Sequence, residues 1–249
     1  MRTDPQTPRT ATLAVIVLAA TVVAAGCAPL FQQTVRGSGN IDTRDIALKD
    51  VSDVRVGSAL DVDIVAGDEP GVAIEADDNV LDRVEVTERG RRVELRLQRG
   101  IRLRSATVDI TLTTPSLTRV GVSGASNVDV AESVEVDDLH VTASGASSVA
   151  GTIAAALLDV SASGSSDVAL VGSAQQLEAS ASGASDVDLR HLEVAGDAAV
   201  EASGASELAV HVAGALRANA SGASGVRYAG SPADVTTQVS GASSVEPGE

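Results

Sequence analysis

Aromatic side chains are almost missing from this chain: Phe31 and Tyr228 are the two in 249 residues, and there is no tryptophan. Rings dominate most globular cores, so any core here must be filled by smaller side chains. A sugar cleft that stacks rings on aromatic platforms is disfavoured for the same reason. Cysteine occurs once, at Cys27, which excludes an internal disulfide framework. Lysine also occurs once, at Lys49, in a chain of formal charge −16. Nucleic acid and anionic lipid surfaces both need clustered cations, so neither is an expected partner. No phosphate-cradling glycine loop, zinc-ligand spacing or strand-to-helix nucleophile elbow is present, and no cofactor is called for.

The first residues, "MRTDPQTPRT", carry Arg2 and Arg9 and lead into the apolar run "ATLAVIVLAATVVAA". A charged start, a short apolar stretch and small residues before a cleavage point make a secretion signal over residues 1–26, too short to span a bilayer as a helix. "VAAGCAP" resembles a bacterial lipobox, in which Cys27 is acylated and becomes the first mature residue. The expectation is an exported protein anchored by lipid to the cell membrane or outer envelope, with residues 27–36 as its tether. Loss of Arg2, Arg9 and Asp4 with the leader takes the charge to −17.

What the chain has in quantity is Ser-Gly-Ala-Ser. Copies or near copies begin at Ser123, Ser144, Ser163, Ser182, Ser203, Ser221 and Ser240, at intervals of 21, 19, 19, 21, 18 and 19 residues. Five residues after each stands Val128, Val149, Val168, Val187, Leu208, Val226 or Val245. Apolar residues also alternate before each copy, as in "LHVTA" and "LDVSA", so the flanking segments are strands. Strands of four to five residues recurring at this period predict a chain that winds once per repeat, each coil about 4.8 Å above the last. Leucine-rich and glycine-aspartate calcium repeats are excluded, because their Leu, Asn and Gly-Gly signatures do not recur.

The tetrapeptide itself is expected to be the corner between two strands of a coil. Glycine permits backbone angles costly elsewhere. The small residue after it (Ala125, Ala146, Ser165, Ala184, Ala205, Ala223, Ala242) is expected to point inward, with the serines bonding corner backbone or the same serine one coil away. Residues 121–249 form these repeats. Residues 37–120 also alternate in runs such as "LDVDIV" and "RRVELRL", separated by Gly and Pro, and are read as an irregular β head that begins the same winding and caps its edge.

The ordered segments "GSGNI" from Gly37, "VGSALDVDIVAGD" from Val56, "VAIEADDNVLDRVEV" from Val72 and "VDITLTTPSLTRVGVSGAS" from Val108 resemble the bacterial head GIN domain family, labelled auto-transporter adhesins. The resemblance spans residues 36–245. It implies an all-β, right-handed parallel β-helix, or β-solenoid, of about 20 residues per coil at the cell envelope, akin to toastrack domains linked to envelope stress. It carries no catalytic residue to this chain. No amphipathic membrane barrel follows the repeats, which leaves Cys27 as the visible anchor.

One constellation invites a chemical reading. Asp167, Asp186 and Glu207 stand four residues after successive anchors, below Asn127 and Ser148, and should form an acidic file without a nearby Lys or Arg. They splay into water or bridge a weakly held Ca2+, which would need six to eight oxygens. His191 and His211 should lie nearly in register in neighbouring coils, with no third metal ligand evident, and His140 should face outward. The sequence therefore supports a non-enzymatic envelope scaffold, structural, adhesin-like or stress-sensing, with an envelope protein or glycan as partner. The alternative is a cation-dependent β-helix that binds or cleaves carbohydrate.

Overall fold

The computed structural model describes residues 33–248; the leader, Cys27 and most of the tether lie outside them. The described chain is built from strands, with one helical turn at Asp78–Leu81. Its first parallel rungs are Asp53–Val56 and Asp61–Ala66, and from Arg119 onward it winds coil by coil as a parallel β-solenoid. Asp53–Val56 pairs in parallel with Arg119–Val122, which pairs with the end of Asn127–Gly145, and the ladder continues coil by coil to Asp234–Val239. A second ladder runs from Asp61–Ala66 through Val128, Val149, Val168, Val187, Leu208 and Val226 to Ser244–Pro247.

The alternation in sequence becomes inside and outside. Val120, Val141, Val160, Ala179, Val200 and Ala218 are stacked register partners, all buried. With the second ladder and Leu139, Leu158 and Leu177 they make one narrow apolar column. Each coil adds about 4.8 Å, and valine, leucine and alanine fill the column with Tyr228 packed at its edge. Valine and leucine suffice because the opposite walls are one side chain away.

Strands are longer than the expected four to five residues: Asn127–Gly145, Ser148–Gly164 and Asp167–Ala181 run through bends without interruption. In a stack, the hydrogen bonds of a bent segment go to the same bend one coil below, so turning the chain does not break the ladder. Differences in repeat length are absorbed away from the tetrapeptide. Val130 to Val134 takes four steps where Gly151 to Ile153 opposite takes two, and further shifts occur between Ala169 and Gly172 and between Leu189 and Glu193. The Ser-Gly-Ala-Ser corner keeps register throughout.

At that corner the small residue faces outward, contrary to the expectation. Ala125, Ala146, Ser165, Ala184, Ala205, Ala223 and Ala242 are all exposed, whereas the following serines, Ser126, Ser147, Ser166, Ser185, Ser206 and Ser224, are buried. Glycine at φ between +79° and +84° is the cause. It turns the next peptide so that its N–H points along the axis to the glycine carbonyl below, as in Ala184 to Gly164 at 2.7 Å. The chain then re-enters with serine inward. Ser166 Oγ donates to the Ser163 carbonyl at 2.9 Å and accepts the Ser163 N–H at 3.1 Å, closing the corner on itself. The first serine reaches a carbonyl one coil below, Ser182 Oγ to Ala162 at 3.4 Å, while the second serines Ser224 and Ser243 of successive corners meet each other, Oγ to Oγ at 3.5 Å.

The head covers the first coil. Gly71–Asp77 runs antiparallel to Val108–Thr114 and to Ile41–Ala47, while Val84–Arg89 folds back on Arg92–Leu97, whose free side meets Asp53–Val56. The change from parallel to antiparallel pairing ends the stack. Asp77 fastens this cap: its carboxylate accepts the amides of Gly39 at 2.6 Å and Thr107 at 2.7 Å. Gly37 lies so close to that carboxylate that no Cβ fits, and Gly39, with open space around it, turns at φ +84°, which together account for the glycines of "GSGNI". At the other end Asp234–Val239 is exposed along its length, Val235 and Val239 included.

Candidate functional site

The second ladder places the acidic file as expected. Asp167 pairs with Asp186, and Asp186 with Glu207; the file continues upward through Ser148, Asn127 and Asp61. Asn127 Nδ2 donates to Asp61 at 2.6 Å and Ser148 Oγ to Asn127 Oδ1 at 2.7 Å, so neutral side chains separate the upper and lower carboxylates.

The file is not free of cations. Arg227 pairs with Glu207, and Arg190 grips Asp188, beside Asp186, through two nitrogens at 2.9 and 2.6 Å. Offset from the anchor hid these arginines, because one reaches along its own strand and the other diagonally across a coil. The Arg190 hydrogen bond holds the Asp188 carboxyl below the usual range. Asp186 moves the other way: burial, then the charges of Asp188 and Asp167, raise it. Among the described residues no three His, Cys, Asp or Glu side chains gather closely enough to hold a metal ion.

The histidines do not pair. His211 is the register partner of Glu193, and His191 falls in the shifted stretch between Leu189 and Glu193, where a bulge displaces it. His140 faces outward and meets Asp159 of the next coil, Nδ1 to Oδ2 3.1 Å.

A cationic cluster was missed. Arg55, Arg92, Arg96 and Arg99 line a cavity of about 530 Å3 at the head end of the solenoid, with Glu94 and the hydroxyls of Ser58, Ser123, Thr142 and Ser144. Asp53, buried beneath, binds Arg92 Nε at 2.7 Å and Arg55 Nε at 3.2 Å. Burial works upward on its carboxyl, but the Arg92 hydrogen bond and the two guanidinium charges outweigh it and hold the group below the ordinary range. Net charge concealed this cluster. Thirteen of the eighteen basic residues lie from Arg36 to Arg119, and Arg190, Arg217 and Arg227 alone follow.

Comparison with known proteins gives a consistent picture. Residues 50–232 match the family model described as "Putative auto-transporter adhesin, head GIN domain". A putative adhesin from Bacteroides fragilis is similar in structure at 19% identity and TM-score 0.81, over 86% of this chain and 99% of that one. A putative adhesin from Parabacteroides merdae aligns at 21% identity and TM-score 0.69, over 87% and 99%. A protein from Parabacteroides distasonis described as a putative lipid binding protein aligns at 17% identity and TM-score 0.68, over 87% and 100%. No curated protein matches in sequence.

Proposed function

The chain belongs to the family described as "Putative auto-transporter adhesin, head GIN domain", and from that premise we propose that it is a lipid-anchored, non-enzymatic envelope protein that presents a rigid side-chain lattice to a partner outside the membrane. The observation that carries this reading is the parallel stacking of coils from Asp53–Val56 to Ser244–Pro247, in register on both sides of every Ser-Gly-Ala-Ser corner, which fixes files of outward side chains at one spacing. A lattice of that kind suits recognition of an extended or repeating partner. The lipobox-like "VAAGCAP" supports attachment through Cys27, and the family's adhesin description supports an envelope-exposed location.

Two measurements test the reading on the full chain in its own cells. Labelled palmitate should enter the protein and sediment with membranes, and Cys27→Ser should abolish the label and release the protein. Beads coated with the purified protein should retain cells or envelope fragments above the level of bare beads. Label-free protein in the soluble fraction would remove the anchor; equal retention on bare beads would remove the adhesive role.

A further inference from the structure

The cavity at the arginine end has a counterpart of about 520 Å3 near the tail, lined by Ser180, Ser182, Glu201, Ser203, Asn219 and Gln238 among others. Both lie along the same edge of the solenoid. Their walls come from two files, the first serine of each corner and the outward residue two positions before it. Register joins them through the coil between, Thr142 to Ser161 to Ser180 in one file and Ser144 to Ser163 in the other. Two files of register partners therefore lead from one cavity to the other along the corner.

The corner surface changes character from one cavity to the other. At the head end Arg55 lies over Gly121, whose missing side chain leaves the floor open: a Cβ there would sit 3.3 Å from Arg55 Cδ. Arg92 and Arg55 share Asp53, and Arg96 is held by Glu85 at 2.9 Å, so these guanidiniums are positioned in advance. Arg99 has no ion pair within 4.0 Å among the described residues. Arginine forks bind carboxylate and phosphate oxygens in pairs. Further along, the walls offer hydroxyls and amides, and the single carboxylate there, Glu201, is occupied by Asn219 Nδ2 at 3.2 Å.

We propose that the two cavities and the serine files between them act as one corner groove that binds an extended anionic glycan, its acidic groups at the arginine end and its hydroxyls along the serine files. The inference rests on the adhesive reading above and names its ligand class. Extended shape follows from the register, anionic character from the four arginines, and polar neutral character further on from Ser, Asn and Gln. With no tryptophan in the chain and Tyr228 outside the groove lining, ring stacking adds little, so binding is electrostatic and weakens with salt. It needs no metal ion, since the acidic file is on the other strand of the coil.

The test is titration calorimetry of the full chain with polygalacturonate, with neutral dextran, and with phosphatidylglycerol vesicles. Saturable binding of the polyuronate is expected, unaffected by EDTA and weaker at about 200 mM salt than at about 50 mM. The double variant Arg55→Gln/Arg99→Gln should lose about tenfold or more in affinity, and Arg190→Gln, on the acidic side, should lose nothing. Ser161→Glu, which puts a charge in the joining coil, should weaken the polymer more than a digalacturonate. Unaltered melting of each variant secures these comparisons. No saturable polyuronate binding, equal binding of dextran, binding confined to the vesicles, or unchanged affinity in the double variant would each overturn the proposal. If beads still retain envelope material while polyuronate fails, the groove assignment is wrong and the adhesive role stands.

Discussion

An alanine methyl at Gly145 would sit 2.6 Å from the carbonyl oxygen of Gly124, because the two glycines lie one above the other at φ +84° and +83°. The same relation recurs up the stack, so each glycine is both a left-handed turn and the contact surface for the next.

Substitution here should cost twice. Gly164→Ala meets the usual penalty of about 1–2 kcal/mol for an L-residue in the left-handed region, and its methyl would also lie 2.7 Å from the Gly145 oxygen. Gly90→Ala, at φ +62° with nothing within 4 Å, should meet only the first. Urea unfolding should show the larger loss at Gly164, by about 1 kcal/mol or more.

The outward small residue and the inward serine can be told apart in one corner. Ser166→Ala removes a buried hydroxyl that bonds the Ser163 amide and the Ser163 and Ala143 carbonyls, and should cost about 0.5–1.5 kcal/mol. Ser165→Ala, beside it and exposed, should change stability by less than about 0.5 kcal/mol. The reverse order, read by thermal melting of both variants, would restore the inward-alanine corner.

Acid should loosen the head. The amides of Thr107 and Gly39 hold the Asp77 carboxyl below its ordinary value. A carboxyl lowered by folding contributes stability above its unfolded pKa and loses it as pH falls through the folded one. Asp77→Asn should therefore lower the melting temperature clearly at pH 7, and the gap from the parent should narrow as the pH falls below the usual carboxylate range.

Asp186 should behave oppositely. Its pKa is raised by burial and by Asp188 and Asp167, so its ionisation opposes folding at neutral pH and the cost disappears as pH falls through the raised value. Asp186→Asn should melt slightly higher than the parent at pH 7 and no higher at pH 3. Partial exposure of the group keeps the effect small.

Much of this was legible in the sequence, for a physical reason. A solenoid's long-range pairs are its neighbouring repeats, so aligning Ser123 to Ser240 already lists which residues stack, and Asp167, Asp186 and Glu207 could be placed by counting. Counting failed where register shifts. His191 sits in a bulge, so its offset from the anchor says nothing of its neighbour. It failed again at the corner, where a positive φ reverses the inside-outside alternation that a strand would keep. The arginine groove was hidden for another reason: Arg55 and Arg92 are 37 positions apart and belong to no repeat, and parallel pairing of Arg92–Leu97 with Asp53–Val56 alone brings them together.

The stacked register is tested most directly by spin-label distances in the Cys27→Ser chain. Thr142, Asn219 and Gln238 are linked through Ser161, Ser180 and Glu201 in one file. Labels at Thr142 and Asn219, four coils apart, should lie about 19 Å from each other, and labels at Thr142 and Gln238, five coils apart, about 24 Å. A second distance equal to or shorter than the first would contradict the solenoid and the groove built on it.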